Sequence, residues 1–194
     1  ASINNFRLLK DLTLDFSTNP DKPLTVIRAA NESGKTTCEY ALMWGLWGER
    51  ALPAKYKDFA IFPADLLASN PKEINAKVEI EFIGPSPDTS IETRYRLIRE
   101  YTQESGRNSF ETLTVFEVKN SGTERIIDSK AKLIVDSILP ISLKDIYFTD
   151  GDRALSFIEA GTQDHIKRRR VSDAIKALLA LDELESAIRH LKNV

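Results

Sequence analysis

The 194-residue chain holds one cysteine, Cys38, so no disulfide can close within it. No apolar run approaches the roughly 20 residues that a bilayer span needs, and no signal-peptide pattern opens the sequence. These absences set the expectation of a cytoplasmic protein in a reducing compartment, with no membrane partner. A surplus of positive charge is missing too: 27 lysines and arginines stand against 29 aspartates and glutamates, a net charge of −2. That argues against a uniformly basic nucleic-acid binder, although positive side chains can still gather on one face. Only two histidines occur, His165 and His190, and with Cys38 they show no metal-ligand or nucleophile spacing. No internal repeat or low-complexity tract is present.

What remains is the make-up of one folded domain, or one domain with an appendage: 42% hydrophobic and 29% charged residues over a length that can bury a core. The opening segment Ser2 to Phe6 reads as strand, and Leu12 to Phe16 alternates as a half-exposed strand should. Ser17 to Pro23 is a turn by composition. The short, partly β-branched run Leu24-Thr25-Val26-Ile27 predicts a strand buried on both faces. Helical spacing of Ala41, Leu42, Leu46 and Trp47 predicts a helix from Lys35 to Trp47, and Trp44 and Trp47 belong to its core face. Glu49 to Pro71 reads mostly as loop. Ile74 to Ile83, Ile91 to Tyr101 (with Tyr95, Leu97 and Arg99 in phase) and Glu111 to Val118 follow as strands without intervening helices. With a short strand near Arg125-Ile126-Ile127 they predict an antiparallel meander. Ser129 caps a helix that Pro140 closes, Ile146 to Phe148 is a short strand, and one long helix runs from Asp164 onward. The chain opens at Ala1 without an initiator methionine and stops at Leu191-Lys192-Asn193-Val194, inside a helical pattern with no stop signal; it reads as a fragment.

Between the Leu24–Ile27 run and the first helix lies Ala29-Ala30-Asn31-Glu32-Ser33-Gly34-Lys35-Thr36-Thr37. This fits the phosphate-binding template G-x-x-x-x-G-K-[ST] at Gly34, Lys35 and Thr36, with Ala29 in place of the first glycine. Successive backbone N–H groups and the helix N-terminus would cradle phosphate oxygens. Gly34 permits close approach, Lys35 sets a charge between the β- and γ-phosphates, and the Thr36 hydroxyl would ligate Mg²⁺. A serine-glycine turn that merely starts a helix is the bland alternative, but the strand-loop-helix context is the one the motif requires. ATP with Mg²⁺ is therefore the expected cofactor pair.

Asn5-Phe6-Arg7, the Leu12–Phe16 segment, the Asn31 to Thr37 loop and Ala41-Leu42 through Gly48 together resemble the N-terminal half of SMC-like DNA-repair ATPases of the Rad type. Those proteins are ABC-class ATPase heads interrupted by a coiled coil. Asp145 to Asp152 resembles the family's Q-loop, and Val171 to Leu191 its helix leading into the coiled coil. The Asp-Gly-Asp at 150–152 looks more like the ATPase of the DNA phosphorothioation system and related anti-phage SMC-like proteins.

The resemblance implies an α/β ABC-type head with a mixed sheet and an antiparallel layer, residues 1–162, and a coiled-coil root, residues 163–194. It implies that Arg7 approaches the phosphates and that Asn31, Glu32, Ser33, Gly34, Lys35, Thr36 and Thr37 form the cradle. Lys35 and Asp150 would be catalytic, and Thr36 and Asp150 would hold Mg²⁺. Asp150 stands where the repair enzymes carry glutamine, and a capping aspartate is its other reading; a surface charge after a strand is the other reading of Arg7.

Implied partners are a second head joined on ATP binding, the C-terminal half of the same protein, DNA, and accessory nuclease or DNA-modification proteins. Leu181, Leu184, Ile188 and Leu191 have a/d spacing, while Lys167 to Arg170 spreads around a helix as a solvated face or touches DNA. A signature Leu-Ser-Gly-Gly, a Walker B run and a switch histidine are missing. The rival readings are a P-loop small-molecule kinase and a non-hydrolysing nucleotide-binding assembly module.

Overall fold

A computed structural model describes residues 1–54, 60–69, 71–86, 89–104, 109–119, 122, 124–126 and 130–148. The expected long C-terminal helix, Lys167 to Arg170 and Asp150 lie outside the described residues. The chain divides into two compact units, Ala1–Ile138 and Leu139–Val194.

The first unit is a six-stranded sheet backed by helices. Strands β1 (Ser2–Phe6), β2 (Leu9–Thr13), β3 (Glu73–Pro85), β4 (Glu92–Glu104), β5 (Phe110–Val118) and β6 (Glu124–Ile126) lie in the order β2-β1-β3-β4-β5-β6. Every pairing among them is antiparallel, so the predicted meander is present, with the N-terminal hairpin added to its β3 edge. The second strand of that hairpin begins earlier than the alternation at Leu12–Phe16 predicts. Its register is set by β1, where Ile3 pairs with Leu12 and Phe6 with Leu9. Asn5 interrupts β1 with φ +52 and donates its side-chain amide to the Asn75 carbonyl of β3. Asparagine is among the few non-glycine residues that tolerate this conformation.

Period-2 alternation sends one set of side chains to each face. The inner set includes Ile3, Ala76, Val78, Leu97 and Val115, all buried. Helix α1 (Lys35–Trp47) covers them with Tyr40, Ala41, Met43, Trp44 and Trp47. The outer set carries a ladder of charge: Lys77 pairs with Glu79, and Arg96 reaches both Glu79 and Glu81. An antiparallel sheet with one wet face accounts for that split. Helix α3 (Ala131–Ile138) packs along β5 through Ile134 and Val135. The segment predicted as loop after Glu49 contains a 3₁₀ turn at Glu49–Ala51 and helix α2 (Ala64–Ala68). Beside α2, Phe62, Ile74 and Ala76 form a second small core with Ile61, Leu66, Leu67 and Tyr101.

Two predicted strands are absent. Leu24–Ile27 forms no strand and is exposed, at 79% for Leu24, 77% for Val26 and 49% for Ile27. A strand is defined by its neighbours, and no described segment pairs with this one. In the second unit, Ile146–Phe148 is not a strand either. Pro140 opens a 3₁₀ turn at Ile141–Leu143 that continues into helix α4 (Lys144–Tyr147), closed by the Phe148 N–H on the Lys144 carbonyl. A three-residue apolar run is too short for its period to separate strand from helix.

Candidate functional site

The loop from Ala29 to Gly34 delivers the chain into α1, and Gly34 is the pivot. It occupies the N-cap position at φ +94, where a side chain would be strained, and an added Cβ would stand 3.2 Å from Cδ2 of Leu9. The β1–β2 hairpin thus supports the loop through Leu9. No side chain caps this helix end. The Cys38 N–H is satisfied by the Gly34 carbonyl at 2.8 Å, which leaves the first-turn amides of Lys35, Thr36 and Thr37 for an acceptor from outside. No acidic residue lies in that first turn, so within the helix itself nothing offsets the positive end of its dipole.

Lys35 is held against its own loop. Its ammonium donates to the Ala30 carbonyl at 2.6 Å and to the Ala29 carbonyl at 3.2 Å. The Ser33 hydroxyl donates to the same Ala30 carbonyl at 2.7 Å. Two of three ammonium donors are therefore spent on fixing the charge at the loop mouth, and the third is left for a ligand. Ala29 fits the place of the absent glycine because the loop does not require positive φ there; positive φ falls on Glu32 (+61) and Gly34. Asn31, Glu32, Lys35 and Thr36 are exposed, and Thr37 is half-buried. The Thr36 hydroxyl makes no hydrogen bond among the described residues. Just inside the helix, burial and the Glu39 charge push the Cys38 thiol above its ordinary pKa, which keeps it protonated and a weak nucleophile.

The predicted site residues from Asn31 to Thr37 are thus brought together on one loop and helix turn. Arg7 is placed differently. It sits in the β1–β2 turn at φ +53, with its N–H on the Ile61 carbonyl and its guanidinium 5.6 Å from the centre of the Phe6 ring. It lines a cavity of about 220 Å³ with Glu49, Tyr101 and Glu111 among others. Leu9, two residues on, is the hairpin's contact to Gly34.

A family model described as an AAA domain matches residues 2–194. The chain belongs to the AAA domain family. A search of curated proteins finds no match. The match makes this an ATP-binding domain with an α/β P-loop NTPase-like fold, and the loop before α1 offers an uncapped helix end, its dipole and an ammonium held at the loop mouth. Sequence reading placed Arg99 in a strand without giving it a role. In the folded domain it is 7% exposed, it bonds the Gly45 and Leu46 carbonyls of α1, and it pairs with Glu111. The signal was its phase: Arg99 follows Tyr95 and Leu97 at period 2, a charge in the buried register.

Proposed function

We propose that this AAA domain is the N-terminal half of an ATP-driven head in an SMC-like DNA-processing protein that acts in DNA repair, DNA modification or phage defence. The observation that carries the nucleotide part is the uncapped α1 terminus with the Lys35 ammonium held beside it by Ala29 and Ala30. For Mg²⁺, no group of three or more His, Cys, Asp or Glu side chains among the described residues could hold a metal ion. A divalent ion would therefore rely on the Thr36 hydroxyl, with water and the nucleotide's own oxygens completing the shell, which is how Mg²⁺ is commonly held. Bound there, it would neutralise phosphate charge. Lys35 would orient the β- and γ-phosphates, and Asp150 is assigned to the ion or to a water molecule by resemblance.

The exposed run before the loop supports a head completed by further chain. Leu24, Val26 and Ile27 face solvent in a segment whose composition suits burial on both sides. A strand donated by the C-terminal half of the protein would pair with it, and the rest of that half would supply the motifs this chain lacks. Residues 163–194 would then lead into the coiled coil, and ATP would join two heads over DNA, with accessory nuclease or modification proteins attached.

The test is retention of radiolabelled ATP by the chain with and without Mg²⁺. We expect weak, Mg²⁺-dependent binding that falls at least about tenfold in Lys35→Ala, and negligible turnover. Retention unchanged by Lys35→Ala would dismiss the P-loop as the site. Turnover by the chain alone that Lys35→Ala abolishes would refute the half-head reading, and an ATPase of the full-length protein indifferent to DNA would refute the DNA assignment.

A further inference from the structure

The phosphate-binding end of α1 is only one end of a 13-residue helix, and the other end is gripped from the sheet. Arg99 of β4 reaches across with all three nitrogens. Nε donates to the Gly45 carbonyl at 2.9 Å, Nη2 to the Leu46 carbonyl at 3.3 Å, and Nη1 to Oε1 of Glu111 on β5. Its guanidinium carbon lies 6.0 Å from the centre of the Trp44 ring. Burial pulls the Arg99 pKa down, and the neighbouring Glu111 carboxylate opposes that shift; guanidinium stays protonated in proteins. The last-turn carbonyls of a helix have no partners of their own and carry its negative pole. A buried, planar, bidentate cation is the group best suited to hold them.

We propose that Arg99 is a positioning residue for the nucleotide loop: by fixing the C-terminal end of α1 to the antiparallel sheet, it sets where the Lys35, Thr36 and Thr37 amides point. A helix moves as a rigid rod, so a bidentate hold at one end, together with the packing of its buried face from Tyr40 to Trp47 on the sheet, constrains the aim of the other end. The same grip works in reverse, because a ligand that draws the N-terminus of α1 pulls on Arg99 and Glu111, and so on β4 and β5. The inference rests on the reading of the loop as an ATP site.

The chain supplies its own reporter. Its two tryptophans, Trp44 and Trp47, both lie on α1, and Trp44 stands beside Arg99. We would titrate Mg-ATP into wild type, Lys35→Ala, Arg99→Met, Arg99→Lys and Glu111→Gln, reading nucleotide retention and tryptophan emission well below each variant's melting temperature. Wild type should bind with a change in emission. Arg99→Met should bind about tenfold more weakly and lose the emission change, with Arg99→Lys between the two because a point-like ammonium lacks the planar fork that reaches both carbonyls and Glu111 together. A merely structural arginine would lower the melting temperature and leave both readouts alone. A folded Arg99→Met with wild-type affinity and emission response overturns the proposal. If Arg99→Met does not fold, the same result in both Arg99→Lys and Glu111→Gln overturns it. Failure of wild type to bind, or binding indifferent to Lys35→Ala, instead removes the ATP-site reading itself and the Arg99 role with it.

Discussion

Glu32 is the residue of the loop whose chemistry and conformation both run against its surroundings. It holds φ +61, a region that costs a non-glycine residue about 1 kcal/mol or more, and its carboxylate is exposed beside a site built for anions. Glu32→Gly should relieve the backbone and remove the charge, raising ATP affinity on the order of fivefold. Glu32→Gln should give only the part due to charge, and that part should shrink as salt rises. Calorimetric titration at two ionic strengths separates the two contributions; unchanged or weaker binding by Glu32→Gly would refute both. The sequence drew attention to Ala29, where the template has glycine, but a template position does not say which residue takes the left-handed turn. Backbone geometry moved that demand three residues on.

At the scale of elements, α1 and β3 meet more closely than ordinary side chains permit. Gly45 faces Val78, and a Cβ added there would stand 2.6 Å from Val78 Cγ1 and 3.0 Å from Ile80 Cδ1. Alanine would favour the helix by about 1 kcal/mol over glycine, yet overpacking costs about 1–3 kcal/mol. The overlap is with a β-branched side chain on a paired strand, which cannot swing away. Gly45→Ala should therefore destabilise the domain by up to about 2 kcal/mol in urea unfolding. Adding Val78→Ala should recover part of the loss, and a stabilised single variant would refute the packing argument. Helix α1 was legible in the sequence from Lys35 to Trp47 because 3.6-residue periodicity and the motif agreed. The close approach at Gly45 was not, since a helical glycine alone does not name its neighbour.

For the molecule as a whole, the exposed Leu24, Val26 and Ile27 set the balance between folding and association. Clustered apolar side chains exposed on an unpaired segment favour association. Replacing Leu24 and Val26 with threonine should leave the melting temperature within about 1–2 °C, because little burial is lost. The same change should lower binding of an apolar dye and slow aggregation of the isolated chain. On the proposed half-head reading it should also weaken association with the C-terminal half when the two are mixed. A large drop in melting temperature would mean that the segment is already packed, contrary to its exposure.

The sequence alone determined the loop motif, the helix that follows it and the meander, because each is written in local spacing: a motif of fixed length, a period of 3.6, a period of 2. Only the tertiary structure decided what required a partner. Leu24–Ile27 has the composition of a buried strand, yet strand formation needs neighbouring backbone, and none is present among the described residues. Arg99 is written as one more charge in an alternating strand, and it became a clamp on α1 because the fold carried the last-turn carbonyls of that helix to within 3.3 Å of it. Local spacing encodes periodicity; which buried groups meet is settled by the way sheet and helix close on each other.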